Sequence, residues 1–240
     1  MTAMLASVRS SWEARQIVSA GVDIVDLKEP SRGALGALSA KTVAEIVNTI
    51  GGRKPTSATI GDLVAEPKTV CSAVRAMSET GVDYVKVGLF AGASDISTVQ
   101  ALGEECARGA RVVIVLFADR NPNLKLLPLI AASGCSGVML DTANKNSGSL
   151  RDCRTQAELA EFLSRARTLG LLAGLAGSLR RDDVLPLLEL DPDYLGFRGA
   201  LCRGKERASL IDRGKVQVIR TLIDRYATQR RGGETASSLI

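Results

Sequence analysis

Histidine is absent from all 240 residues. Without it there is no Ser-His-Asp or Cys-His relay. There is also no His-ligated zinc or non-haem iron site. Any proton transfer falls to Lys, Asp, Glu, Tyr, Cys or water. Aromatic residues are scarce at 3%, so the core must be aliphatic. Base-stacking platforms for single-stranded nucleic acid are lacking too. With arginines scattered along the chain, a nucleic-acid partner is not expected. No apolar run approaches the length of a membrane span. The N-terminal MTAMLASVRSS has no signal-type apolar segment, so no membrane partner and a cytoplasmic location are expected. The five cysteines are odd in number, widely spaced and never in C-x-x-C. They read as reduced thiols of a cytosolic protein, not as a metal site.

What is present is ordinary globular material: 45% hydrophobic, 24% charged, net charge +5. Short apolar runs alternate with amphipathic stretches. Strands are expected at 3–8, 22–28, 56–61, 82–88, 111–117, 137–141, 171–176 and 194–198. Helices are expected from Ser10 and Thr155, each with Glu three residues on in capping-box spacing. Others are expected over about 39–50, 66–80, 95–108, 124–133, 180–189 and 209–229. The joins Gly21-Val22-Asp23, Gly81-Val82-Asp83, Gly134-Cys135 and Asp191-Pro192-Asp193 share one place before a strand. A glycine fits there, at a helix end that needs positive φ before the chain turns into a strand. Eight such units predict a single-domain (β/α)₈ TIM barrel over 1–229, with 230–240 as a disordered tail. A doubly wound sheet is the alternative, but no G-x-G-x-x-G follows the first strand. A homo-oligomer is expected, since barrels associate through their outer helices.

Alternation along strands sets Asp26 and Lys28 opposite Val25 and Leu27, and Lys86 opposite Val85 and Val87. It likewise sets Asp141 opposite Val138 and Leu140, and Arg198 opposite Leu195 and Phe197. In a barrel the polar set would point inward at the C-terminal mouth, where barrel enzymes place their chemistry. Lysine is the rarer cation, nine against 22 arginines. Yet Lys28 and Lys86 fall at strand ends, and Lys145 follows Asp141 by four residues. Burial and neighbouring cations favour a neutral amine, which can form a Schiff base with a carbonyl. Asp26 and Asp141 could orient it or carry protons. A structural ion pair is the competing reading for any one of these lysines. Gly177 and Ser178 after strand 7, with Arg198 and Gly199 after strand 8, suit a phosphate cradle; the run Arg203-Gly204-Lys205-Glu206-Arg207 that follows reads as a solvated face or a phosphate neighbour. Thr59, Asp62 and Asp119 are further substrate-binding candidates at strand ends. The loop 29–37 is long enough to cover a site.

Taken in order, several strings form a set: Asp23-Ile24-Val25-Asp26-Leu27-Lys28-Glu29-Pro30, Gly33-x-Leu35-Gly36-Ala37, Ile60-Gly61-Asp62, Asp83-Tyr84-Val85-Lys86-Val87-Gly88-Leu89, Met139-Leu140-Asp141-Thr142-Ala143-x-Lys145, Leu175-Ala176-Gly177-Ser178 and Arg198-Gly199-Ala200. This set resembles the (5-formylfuran-3-yl)methyl phosphate synthase family of methanofuran biosynthesis, over roughly residues 4–225. The segment Leu116-Phe117-Ala118-Asp119 and the loop 146–149 fit the family pattern loosely. The resemblance implies a TIM-barrel lyase of one-carbon metabolism. It would condense two molecules of glyceraldehyde 3-phosphate to 4-(hydroxymethyl)-2-furancarboxaldehyde phosphate, losing phosphate and water. It implies Lys28 as the Schiff-base lysine and Lys86 as proton acceptor, assisted by Asp26, Asp141 and Lys145. No metal or organic cofactor is expected, and the partner is a small phosphorylated substrate. The alternatives are a Schiff-base aldolase acting on another phosphorylated aldehyde, and a non-catalytic barrel that binds anions or a partner.

Overall fold

The computed structural model describes residues 1–145, 148–204 and 206–237, with side chains described through Arg231. The strands are β1 (Ala3–Val8), β2 (Ile24–Leu27), β3 (Thr56–Thr59), β4 (Tyr84–Leu89), β5 (Val112–Phe117), β6 (Gly137–Asp141), β7 (Leu172–Leu175) and β8 (Tyr194–Phe197). The helices are α1 (Ser11–Ser19), α2 (Ala40–Ile50), α3 (Pro67–Ser78), α4 (Asp95–Ala107), α5 (Leu127–Ala132), α6 (Leu150–Cys153), α7 (Gln156–Thr168), α8 (Val184–Leu188) and α9 (Arg213–Ser237). Strands adjacent in sequence pair in parallel, and β8 closes on β1. The expected (β/α)₈ barrel is therefore the fold, and the open sheet is excluded.

The recurring helix-to-strand joins work as their chemistry suggests. Gly21, Gly81 and Gly134 sit at φ 87°, 81° and 75°, and Asp191 at 54°. Each turns the chain out of a helix through the left-handed region. The aspartate that follows has a second role. Asp23, Asp83 and Asp193 each accept a backbone N–H from the preceding strand: Met4, Thr56 and Ala173, at 2.8, 2.8 and 2.7 Å. These carboxylates stitch the N-terminal rim of the barrel.

Several boundaries shift for local reasons. Strand β2 starts at Ile24 because Gly21–Asp23 form the turn. Lys28 lies one residue past the strand, although its N–H still donates to Val8 O at 3.0 Å. The last helix starts at Arg213 rather than 209, since Cys202 and Ile211 first form an antiparallel bridge. It continues to Ser237 through most of the segment expected as a tail. Arg230 on this extension pairs with Asp191 at 3.5 Å, tying it to the barrel. Residues 238–240 lie outside the described residues, as do Asn146 and Ser147 of the loop after Lys145.

Alternation sorts the side chains into two cores. Val25, Leu27, Val85, Val87, Val138, Leu140, Leu195 and Phe197 face the helices, in one large aliphatic cluster. Leu5, Val113, Val115, Met139 and Tyr194 fill the interior, with the strand-initial Ala3, Ile24 and Tyr84 packed against them. The apolar floor therefore lies at the strand starts, and the polar side chains lie above it. Among the described residues, no helix is long and apolar enough to cross a membrane. All five cysteines are unbridged.

Candidate active site

A cavity of about 770 Å³ opens at the C-terminal mouth. Lys28, Lys86, Lys145, Asp26 and Asp141 all line it, as their positions at strand ends predict. Asp26 is fully buried between β1 and β3, whose Ser7 and Ser57 are its register partners. Both serine hydroxyls donate to its carboxylate at 2.7 Å. The ammonium of Lys86 pairs with the same group at 2.5 Å. Burial by itself would raise the Asp26 pKa, but Lys86, Lys28 and the hydrogen bonds outweigh it and hold the carboxyl below its ordinary value. The supporting serines were not singled out from sequence. Their inward register on β1 and β3 was the available signal.

Across the mouth, Lys145 is ion-paired with Asp141. Asp141 also accepts the Thr142 N–H at 2.7 Å. Its burial opposes ionisation, yet Lys145 and Lys28 bring its pKa down to about 2. Lys28 differs from the other two lysines. It is 7% exposed, and among the described residues its amine makes no hydrogen bond or ion pair. Burial lowers its pKa to about 8, against the pull of Asp141 and Asp26 and with the push of Lys145 and Lys86. An amine near neutrality, unpaired and facing a cavity, is equipped to attack a carbonyl.

The other candidates have more varied places. Thr59, Asp62 and Asp119 reach the mouth but do not line the cavity. Their polar atoms are committed to loop backbone. Asp62 accepts the N–H groups of Ala34 and Leu35 at 2.9 and 2.8 Å, and the Thr59 hydroxyl donates to Gly36 O at 3.1 Å. Together they pin the loop 29–37 over the barrel. Gly36 has no room for a Cβ, which would stand 2.3 Å from Glu29 O. Leu35 is thereby driven into the interior cluster beside Phe117, on which Phe90 stacks with ring centroids 4.4 Å apart. That half of the mouth is sealed with apolar groups. Asp119 accepts the N–H groups of Ala143 and Asn144, both at 2.7 Å, and so positions the loop that carries Lys145.

Gly177, Ser178 and Gly199 line the cavity as expected. Gly177 has φ 114°, and a Cβ there would meet Thr142 Cγ2 at 2.8 Å, so only glycine brings these loops together. Ser178 donates to Lys145 O at 3.2 Å, a second tie on that loop. Arg198 has its hydrogen-bonding capacity filled within the protein. Its nitrogens donate to Glu13 Oε2 and Oε1 at 2.7 and 3.1 Å, and to the carbonyls of Ser7, Arg207 and Ser209 at 3.0, 2.8 and 3.0 Å. Those are five bonds for five donors, so none is left for a phosphate. Glu13 is diverted by the same pairing. Ser10 accepts the Glu13 N–H, as a helix cap should, but the Glu13 carboxylate serves Arg198 and the Arg9 N–H. At Thr155 the expected capping box is complete.

The same residues place the chain among known proteins. A family model described as 4-HFC-P synthase matches residues 4–220. A (5-formylfuran-3-yl)methyl phosphate synthase from Methanosarcina mazei is 36% identical over 227 residues, covering 86% of this chain and 93% of that one. A Methylorubrum extorquens protein given the same synthase name provisionally is 42% identical over 213 residues, covering 89% and 88%. Among solved structures, the 3-hexulose-6-phosphate synthase of Salmonella typhimurium superposes with a TM-score of 0.68 at 16% identity, covering 93% of this chain and 99% of that one. That likeness shows the fold alone. With the family model spanning nearly the whole barrel and relatives well above 30% identity, the chain belongs to the (5-formylfuran-3-yl)methyl phosphate synthase family of TIM-barrel enzymes.

Proposed function

We propose that the barrel condenses two molecules of glyceraldehyde 3-phosphate to (5-formylfuran-3-yl)methyl phosphate through an imine on Lys28. One phosphate and two waters leave. The observation that carries this reading is the contrast among the mouth lysines. Lys86 and Lys145 are each tied to a carboxylate, while Lys28 makes no ion pair among the described residues and has its pKa lowered to about 8. Attack by the neutral amine on the aldehyde and loss of water form the imine. Protonated, it is an electron sink beside the carbon that must lose a proton, join the second triose and expel water. Lys86, with Asp26 as its counter-charge, gives its ammonium proton to the hydroxyl that leaves as water when the imine forms, and the neutral amine then serves as proton acceptor. Asp26 is held in place by Ser7 and Ser57. Lys145 and Asp141 form the second proton-carrying pair on the opposite wall. With all five ionised, three cations face two anions, a net positive mouth suited to phosphorylated substrates. Gly177 and Gly199 allow close backbone approach of a phosphate on that side. The scheme draws on no metal or organic cofactor.

Incubation with glyceraldehyde 3-phosphate alone should generate a furan-type ultraviolet absorber. Borohydride added during turnover should trap a mass adduct on the peptide containing Lys28. Lys28→Arg keeps the charge and removes the nucleophile, so it should fold normally, form no adduct and lose turnover by at least about 10³-fold. An active Lys28→Arg enzyme would sink the imine. A wild-type protein that makes no furan from the triose phosphate would sink the reaction.

A further inference from the structure

The cavity wall formed by the chain after β8 contains a cation that the scheme above leaves unused. Arg207 lines the cavity. Its Nη2 is buried and has no hydrogen-bond partner among the described residues. Such a group is costly to leave unmatched. Its neighbours explain why it stays there. Arg198 fixes the Arg207 backbone by donating from Nε to its carbonyl at 2.8 Å. Lys215, on the same wall, donates its amine to the carbonyls of Cys202 and Gly204 at 2.6 and 3.0 Å, closing the loop from below. Arg198 and Lys215 are thus committed to building the loop, and among the described residues Arg207 is a cation that the loop presents to the cavity. Its Cγ lies 3.4 Å from where a Gly199 Cβ would stand, so its side chain runs across the backbone at the end of β8. Burial disfavours its charge, and Asp141 and Asp62 offset this in part without touching it.

We propose that Arg207 is the phosphate clamp of this cavity: a guanidinium that lines it, on a loop fixed by Arg198 and Lys215, with a buried donor unmatched among the described residues that a phosphate dianion would satisfy. The proposal rests on reading the cavity as a site for phosphorylated aldehydes, and it names the residue that selects them. The planar fork of arginine matches two phosphate oxygens at once, which a lysine at this place would not do. The same geometry takes the phosphate of a triose phosphate or the orthophosphate released in the reaction.

Calorimetric titration of the full chain with inorganic phosphate tests the clamp without any turnover. Arg207→Met should weaken phosphate binding by about 10- to 100-fold, the loss of charged hydrogen bonds. Arg207→Lys, which also guards against a misfolded methionine variant, should fall between that variant and wild type. Arg181→Gln, the same change of charge at the exposed rim of the cavity, should cost less than about threefold. Borohydride trapping then separates the two ligand sources. Arg207→Met should slow adduct formation on Lys28 with glyceraldehyde 3-phosphate and leave trapping with unphosphorylated glyceraldehyde unchanged. Phosphate affinity that is the same in wild type and both Arg207 variants would overturn the proposal. So would an equal loss in Arg181→Gln, which would make the effect one of diffuse charge. Failure of furan formation would count against the proposed reaction, while the phosphate titration would still decide the role of Arg207.

Discussion

Lys28 is cationic at neutral pH in a place that resists charge. Its pKa of about 8 lies below the ordinary 10.5, so two pH dependences follow. The rate of imine trapping should rise with pH and level off above about 8, as the amine loses its proton; a flat profile from pH 6 to 9 would contradict the assignment. The effect on stability has a definite sign. Between about pH 8 and 10.5 the unfolded chain binds more protons at this residue than the folded one, so stability rises with pH across that window. Below pH 8 the buried ammonium costs something on the order of 3 kcal/mol, by the conversion of pKa difference to free energy. Lys28→Met should therefore melt higher than wild type at pH 7, with the gap closing toward pH 10. Asp141 behaves oppositely. Its pKa of about 2 lies below the ordinary 3.8, so its contribution is fully present above pH 4 and lost as pH falls through about 2.

At the scale of elements, the mouth is shaped by loops that polar side chains hold in place. Arg198 joins α1, through Glu13, to the chain after β8. Both partners are almost fully buried, so breaking the pair strands a charge. Glu13→Ala should destabilise the fold by about 3–5 kcal/mol. That should appear as a fall in Tm of roughly 6–20 °C at this chain length; an unchanged Tm would refute the structural role given to the pair. Asp62 makes a milder case, since it is exposed and holds the loop 29–37 by two backbone N–H groups. Asp62→Ala should release that loop to limited proteolysis at Ser31–Arg32 and lower kcat, because Leu35 then no longer seals its half of the mouth. Cleavage no faster than in wild type would show that other contacts suffice.

The whole molecule divides by depth. The strand starts hold an apolar floor and a rim stitched by Asp23, Asp83 and Asp193, while the strand ends hold the lysines and their carboxylates. Barrels characteristically keep stability and chemistry at opposite faces. Asp193→Ala should accordingly lower stability by about 1 kcal/mol, the usual net worth of one hydrogen bond. It should leave kcat and KM unchanged, and a change in either would mean the two faces are coupled. Removing charge at the mouth should do the reverse for activity.

Periodicity alone determined the barrel and the inward set Asp26, Lys28, Lys86 and Asp141, because strand alternation is a local property and apolar neighbours such as Val25, Val87 and Leu140 reveal which face is buried. The left-handed joins at Gly21, Gly81 and Gly134 were legible for the same reason. Three things were decided only in the tertiary structure. One is which lysine makes no direct ion pair among the described residues, since Asp26 pairs with Lys86 from β4, two strands along the sheet, and not with its near neighbour Lys28. Another is that Thr59, Asp62, Asp119 and Arg198 hold loops, because their acceptors and donors lie up to 191 residues away in sequence. The last is that Arg207, in the basic run after β8, keeps a buried donor with no partner among the described residues while lining the cavity. Hydrogen-bond satisfaction depends on what closure of the barrel brings into reach, and no spacing along the chain encodes that.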